Sequence, residues 1–255
     1  MAGIVGHEQH STEVVERRQP AGTLLPMIVS FADPLEIVEL SDGAGAGRHS
    51  SFIAGFMPGW ATTQFVGLQR SVQVYLTPLG AMTILGIPGR ETAAHVVDLD
   101  DIAPTLSGSL PDQLHHAATW EARIRIVEDL LLRQLDHTTT QPAPVVEWLW
   151  RSILAAKGQV HIDELVSRAS WSRRHASMQF REQVGLPPKA AAGVVRFEHA
   201  AADLGRIPTH AVATKHGYSD QSHLARDIAR RTGETPRAFQ SARRPTAYTA
   251  LGEGP

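Results

Sequence analysis

Hydrophobic and polar positions follow two different rhythms along this chain, and the change falls just past its middle. In the first 75 residues, short runs rich in β-branched and aromatic residues are broken by Gly and Pro. MIVSF (27–31), EIVEL (36–40), SFIAGF (51–56) and VQVYL (72–76) read as strands. Residues 79–87, LGAMTILGI, predict one short helix starting after Pro78. In TWEARIRIVEDLLLRQLDH (119–137), Ile124, Val127, Leu131 and Leu135 recur at helical spacing with Glu and Arg between them. The first part is therefore expected to be α+β, a small sheet or barrel followed by helices.

Beyond residue 138 helix follows helix. TTTQPAPV (138–145) holds threonines and prolines, poor helix material, and reads as a linker. VVEWLWRSILAA (145–156) stops at Gly158. VHIDELVSRA (160–169) is short and amphipathic. SRRHASMQFREQV (172–184) opens at Ser172, a good N-cap, and stops at Gly185. PKAAAGVVRFEHAAADL (188–204) stops at Gly205, THAVATKH at Gly217 and SDQSHLARDIARRT (219–232) at Gly233. The expected organisation is a β-rich α+β domain over 1–137, a linker over 138–144, an all-α domain over 145–243 and a flexible tail over 244–255.

Two of these helices repeat one unit. FREQVGLPPK (180–189) set over IARRTGETPR (228–237), an offset of 48, puts Gly185 on Gly233, Pro188 on Pro236 and Lys189 on Arg237. Upstream, His175 falls on His223. Trp171 and Tyr218 match once one residue is inserted. A short helix, a tight turn and a second helix is the helix-turn-helix layout, whose second helix enters the DNA major groove. Ala176, Phe180 and Val184 should form a core stripe. Arg174, Ser177, Met178 and Arg181 then share the solvent face. In the second unit Leu224 and Ile228 point inward, and Ser222, Ala225, Arg226 and Ala229 outward. Gln221 lies in the first turn. The helix at 188–204 would span about 25 Å, so the two reading helices could sit about one DNA turn apart.

Charge sharpens this picture. The net charge is −2. Residues 1–150 carry 8 Lys+Arg against 17 Asp+Glu, a balance of −9, and residues 151–255 carry 16 against 9, a balance of +7. An acidic half joined to a basic half points to a nucleic-acid-facing second domain.

Residues 145–243 resemble the AraC/XylS-type transcription regulators. The carrying segments are WSRRHASMQFREQVGLPPK, RFEHAAADL and VATKHGYSDQSHLARDIARRTGETPRAF. The resemblance implies a pair of helix-turn-helix units joined by a long helix, behind a β-rich sensory domain. The first part is similar to such a domain in its strand order, TPLGAMTILGIPGRE and DLDDI. The chain departs from the family at Ser170, where a turn glycine is usual, and at Ala176, Met178, Ile228, Thr209 and His216. Met178 offers no hydrogen bond to a base edge but could touch a thymine methyl.

Candidate base-reading residues are Arg174, Ser177, Met178, Gln221, Ser222 and Arg226. Candidate phosphate contacts are Arg173, Arg181, His223, Arg230 and Arg231. The turns and caps fall on Ser170, Ser172, Gly185, Gly217, Asp220 and Gly233. Ala169 and Ala213 read as packing residues. Expected partners are operator DNA, RNA polymerase, a small-molecule effector and a second copy of the chain. Trp60, Phe65, Tyr75 and Trp120 read first as core, with an effector-pocket lining as the alternative.

Other chemistry finds little support. The chain has no cysteine, which excludes disulfides, thiolate metal sites and a cysteine nucleophile. Thirteen histidines form no HExxH and no other metal spacing, and adjacent His115 and His116 read as a surface pair. DGAGAGRHS (42–50) reads as a loop between strands, and no GxSxG elbow is present. No cofactor, metal or catalytic step is expected. With no leader-like N-terminus and no long apolar run, a cytoplasmic, membrane-free protein is expected. The other readings are a small-molecule-modifying enzyme domain fused to a DNA-binding module, and a protein that binds DNA without sequence preference.

Overall fold

The computed structural model describes residues 2–168 and 171–242. The first part is a nearly closed β-barrel built on β1 (Gly3–Gln19), β2 (Leu25–Ser30), β3 (Leu35–Leu40), β4 (Gly47–His49), β5 (Ser51–Ala54), β6 (Ala61–Leu76) and, after two helices, β7 (Val96–Asp98). The sheet runs β4-β3-β6-β2-β5-β7, with β1 added to β6. β6 organises the barrel. One of its edges pairs with β1 from Gly3↔Tyr75 to Gln19↔Ala61, with a register shift between Ser11 and Val15. Its other edge pairs first with β3 (Glu36↔Gln64) and then with β2 (Leu25↔Leu76). The wall closes where Ala44 N donates to Ala94 O and Val96 N to Ala44 O, both at 2.9 Å.

The runs expected as strands from MIVSF, EIVEL, SFIAGF and VQVYL all lie in this barrel. The 17-residue β1 was not expected. Its sequence, GIVGHEQHSTEVVERRQ, does not alternate cleanly, and its pairing with β6 imposes the extended form.

Helices cover the barrel. α1 (Pro78–Leu85) has Pro at its start and Thr77 Oγ1 accepting from Gly80 N. α2 (Gly89–Thr92), α3 (Leu99–Ile102), α4 (Pro104–Ser107) and α5 (Leu110–His116) are short turns. α6 (Trp120–His137) is the long amphipathic helix read from its apolar stripe, with Val127 and Leu131 buried.

The second part is all helical: α7 (Pro144–Ala155), α8 (Ile162–Arg168), α9 (Arg173–Val184), α10 (Pro188–Asp203), α11 (Thr209–Lys215), α12 (Gln221–Thr232) and α13 (Pro236–Ser241). One apolar core runs through both parts. Phe56 of the barrel packs edge-on against Trp150 of α7 with ring centroids 5.9 Å apart, and Trp150 meets Phe180 of α9 at 6.3 Å. Among the described residues, no helix is long and apolar enough to cross a membrane.

Candidate DNA interface

Each reading helix is built by the same local device. α9 and α12 are both 12 residues long. Ser172 Oγ accepts from His175 N, and 48 positions on, Asp220 Oδ1 accepts from His223 N at 2.6 Å. These side chains satisfy donors that a helix start leaves without a partner. Trp171 packs against His175 and Tyr218 against His223, at 4.7 and 5.1 Å between ring centroids. Both helices end on a glycine at positive φ, Gly185 at 98° and Gly233 at 71°.

The turn between α11 and α12 passes through Gly217 at φ 67°, where Tyr218 N donates to Ala213 O at 2.9 Å. Ala213, in α11, is buried. In the first unit the equivalent turn, with Ala169 and Ser170, lies outside the described residues.

The inward faces are closed. Ala176, Phe180 and Val184 are buried in α9, and Leu224, Ile228 and Thr232 in α12. His216, unusual for its place, is buried with Nε2 2.6 Å from Asp203 Oδ2, tying α11 to the end of α10. Burial pulls Asp203 upward, but hydrogen bonds from Lys215 and His216 outweigh it and hold the carboxyl below its ordinary range.

The outward faces carry the candidate reading groups. Arg174, Met178 and Arg181 are exposed on α9, and Ser177 is half-buried beside them. Gln221, Ser222 and Arg226 are placed on the first turns of α12, and all three are exposed. Arg173 pairs with Asp163 of α8 at 3.0 Å, with both side chains open to solvent. Arg230 is exposed and reaches Asp227 at 2.6 Å. His223 is half-buried, and its Nδ1 lies 3.2 Å from Ser219 Oγ.

One expectation is corrected. Arg231, read as a phosphate contact, is 2% exposed. Its Nε donates to Asp227 Oδ1 at 3.1 Å, and its Nη1 donates to Pro58 O of the barrel at 3.0 Å. Asp227 also accepts from Tyr218 Oη at 2.8 Å. Burial raises the Asp227 carboxyl, but Arg231, Arg230 and Tyr218 together hold it low, so the pair stays charged. A one-residue step along a helix turns a side chain by 100°, which carries Arg230 to solvent and Arg231 into the domain boundary.

The model of a "Helix-turn-helix domain" matches residues 165–242. That span covers the second helix-turn-helix unit, the joining helix and most of the first unit. Residues 165–242 are a helix-turn-helix domain.

Solved structures extend the likeness to the barrel. ToxT from Vibrio cholerae is 6% identical over 94% of this chain and 97% of its own, with a TM-score of 0.52. ToxT from the same organism bound to (E)-4-(8-methylnaphthalen-1-yl)but-3-enoic acid is 8% identical over 94% and 98%, with a TM-score of 0.50. The C-terminal domain of AraT, a response regulator from Geobacillus stearothermophilus, is 19% identical over 43% of this chain and 94% of its own, with a TM-score of 0.38. The ToxT likeness shows the fold, a barrel ahead of a helical helix-turn-helix part. No curated protein matches the chain.

The barrel ahead of the module encloses a cavity of about 760 Å³. Its apolar lining includes Ile28, Ile37, Phe52 and Phe65. Gln69, Ser71, Gln73 and Tyr75, alternate residues of β6, line it with polar groups. Tyr75 Oη donates to Gln73 Oε1 at 2.9 Å, and Gln73 Nε2 to Ser71 Oγ at 3.3 Å. His7 also faces the cavity; burial and the charge of Arg17 lower its pKa. Phe65 and Tyr75 thus line the cavity. Trp60 lies under the guanidinium of Arg18, and Trp120 packs against Phe31. The polar ladder on β6 was not expected from the sequence; alternation of Gln, Ser, Gln and Tyr at 69–75 was its signal.

Proposed function

We propose that the protein is a sequence-specific transcription regulator that reads two successive major grooves with α9 and α12. The observation that carries this reading is the repeat itself. Two 12-residue helices have the same cap and the same stop, and each leaves a polar face uncovered. Arg226 and Gln221 are the base-reading candidates of the second unit; Arg226 suits guanine O6 and N7, and Gln221 suits an adenine edge. Arg174, Ser177 and Met178 face the first groove, and Ser222 the second. Arg173, Arg181, Arg230 and His223 are assigned to phosphates. The positive charge of the second half supplies capture of the duplex. The module occupies 145–243 and the regulatory domain 1–137, with 138–144 between them.

The barrel cavity supports effector control. At about 760 Å³ it falls in the size range of small-molecule sites, apolar with a few convergent polar groups. A solved structure of the same fold, ToxT, holds a small organic acid. Leu132 and Leu135 are exposed on α6, at 59% and 40%, and offer that helix as a contact between two copies of the chain.

Selection of bound duplexes from a random pool by the purified protein tests the reading. A two-part consensus with half-sites about one helical turn apart is expected. Recovery of no consensus, with equal affinity for random duplexes across salt, leaves a non-specific binder instead.

A further inference from the structure

The first domain holds both reading helices, and it holds them at equivalent places. On α9, the backbone at Gln183 packs so closely on Gly89 of α2 that Gly89 has no room for a Cβ. A Cβ on Gly185 would lie 2.9 Å from the Cβ of Ala93. Arg90 Nε meets Glu182 Oε1 at 3.0 Å. Forty-eight positions on, Gln183 corresponds to Arg231 and Gly185 to Gly233. The Arg231 carbonyl accepts from Ala21 N at 2.9 Å, and the Gly233 carbonyl accepts from Arg18 Nη1 at 3.2 Å. The Arg18 guanidinium lies 4.1 Å above the Trp60 ring. A Cβ on Gly233 would lie 2.6 Å from Arg18 Nη1 and 2.8 Å from Trp60 Cε2.

The chemistry of these contacts is that of a helix end. The last carbonyls of a helix have no partner within it and form its negative pole. For α12 the barrel supplies both the hydrogen bonds, from Ala21 and Arg18, and the positive charge. Each grip is at the C-terminal turn. The N-terminal turns, with Arg174, Gln221, Ser222 and Arg226, stay open to solvent. The hold is therefore compatible with reading DNA. Within the helical part, α10 and the segment after α7, where Gln159 Nε2 donates to Lys215 O at 3.2 Å, join the two units. The barrel makes a further brace between them.

We propose that Arg18 and Ala21 of the barrel edge, with Gly89 and Arg90 of α2, are positioning residues that set the separation of the two reading helices, so that the first domain gauges the distance between half-sites. This rests on the reading of α9 and α12 as a pair on one duplex. Arg18, Ala21 and the neighbouring Gly22 and Gly59 also line the barrel cavity. A molecule entering there touches the same segments that brace α12.

The test uses the full chain and the duplex that the wild-type protein selects from a random pool. Variants of that duplex lengthen or shorten the spacer between half-sites by one and two base pairs. The wild type is expected to lose roughly tenfold or more in affinity for each base pair of misfit. In the Arg18→Ala/Arg90→Ala double variant, that loss falls to about threefold, while base preference within each half-site is kept. Arg18→Lys keeps a cation at the pole of α12 and restores the wild-type spacing profile at that grip. Failure to select any two-part site would sink the DNA reading itself. A two-part site with an unchanged spacing profile in the folded double variant would overturn the positioning role alone. Should the double variant not fold, the half-buried Arg18→Ala single variant is measured in the same way: a flattened spacing profile supports the positioning role, and an unchanged one overturns it.

Discussion

Glu198 and Thr23 lie 175 residues apart and are joined by two hydrogen bonds: Thr23 N donates to Oε1 at 2.9 Å and Thr23 Oγ1 to Oε2 at 2.6 Å. They fasten the middle of α10 to the loop after β1. Burial pushes the Glu198 carboxyl up to about 6, against the pull of Thr23 and of Arg231. A folded-state value above the unfolded one means that folding favours the protonated acid. That contribution is complete below about 4.5 and is lost as pH rises through about 6. Glu198→Gln mimics the protonated form, with its amide donating to Thr23 Oγ1. It is expected to be more stable than wild type at pH 7.5 by up to about 2 kcal/mol, with the gap closing by pH 5. Urea melts across that range check it; parallel profiles for the two proteins would refute it.

Arg226 is exposed on α12, one turn after Gln221 and Ser222, on the side away from the buried Leu224 and Ile228. Arg226→Ala is expected to cost about 1–3 kcal/mol of binding and to relax preference at one base position. Binding to a full set of single-base operator variants measures this. A uniform loss over the whole set would move Arg226 to the phosphates.

The Asp220 carboxylate caps α12, and the hydrogen bond from His223 N holds its pKa below the ordinary value. A depressed value means stability that is present above about 3.8 and lost as pH falls through the folded value. Asp220→Ala should cost the first turn of α12 its hydrogen-exchange protection and weaken specific binding. Asp220→Ser, another capping residue, should restore most of both. Full protection in the alanine variant would show that packing alone holds the turn.

Much of this architecture is written locally. Ser172, Asp220, Gly185 and Gly233 bound the reading helices, and the sequence spans 172–184 and 219–232 meet α9 (Arg173–Val184) and α12 (Gln221–Thr232) within two residues. Caps and glycine stops act over one turn, so a reader of the sequence meets cause and effect together. The 17-residue β1 was hidden for the opposite reason: its partner β6 lies more than forty residues away. Glu198 looked like any polar residue in a helix until Thr23 met it. The cavity needed the closed barrel, since Gln69, Ser71, Gln73 and Tyr75 share one side only when β6 is extended.

Arg231 was hidden in the same way, since Pro58 lies 173 residues from it. Its burial makes a sharp expectation. Arg231→Met removes one partner of a buried ion pair and leaves Asp227 with Arg230, exposed, and Arg196 at 4.0 Å. The cost should be about 3 kcal/mol, because the carboxylate stays buried with less compensation. Adding Asp227→Leu removes the stranded charge and should recover much of the loss, so the two substitutions will not add. Equilibrium unfolding of the four proteins in this cycle measures the coupling. A phosphate-binding arginine would behave differently: Arg231→Met would leave stability intact, weaken all duplexes alike and lower the salt dependence of binding.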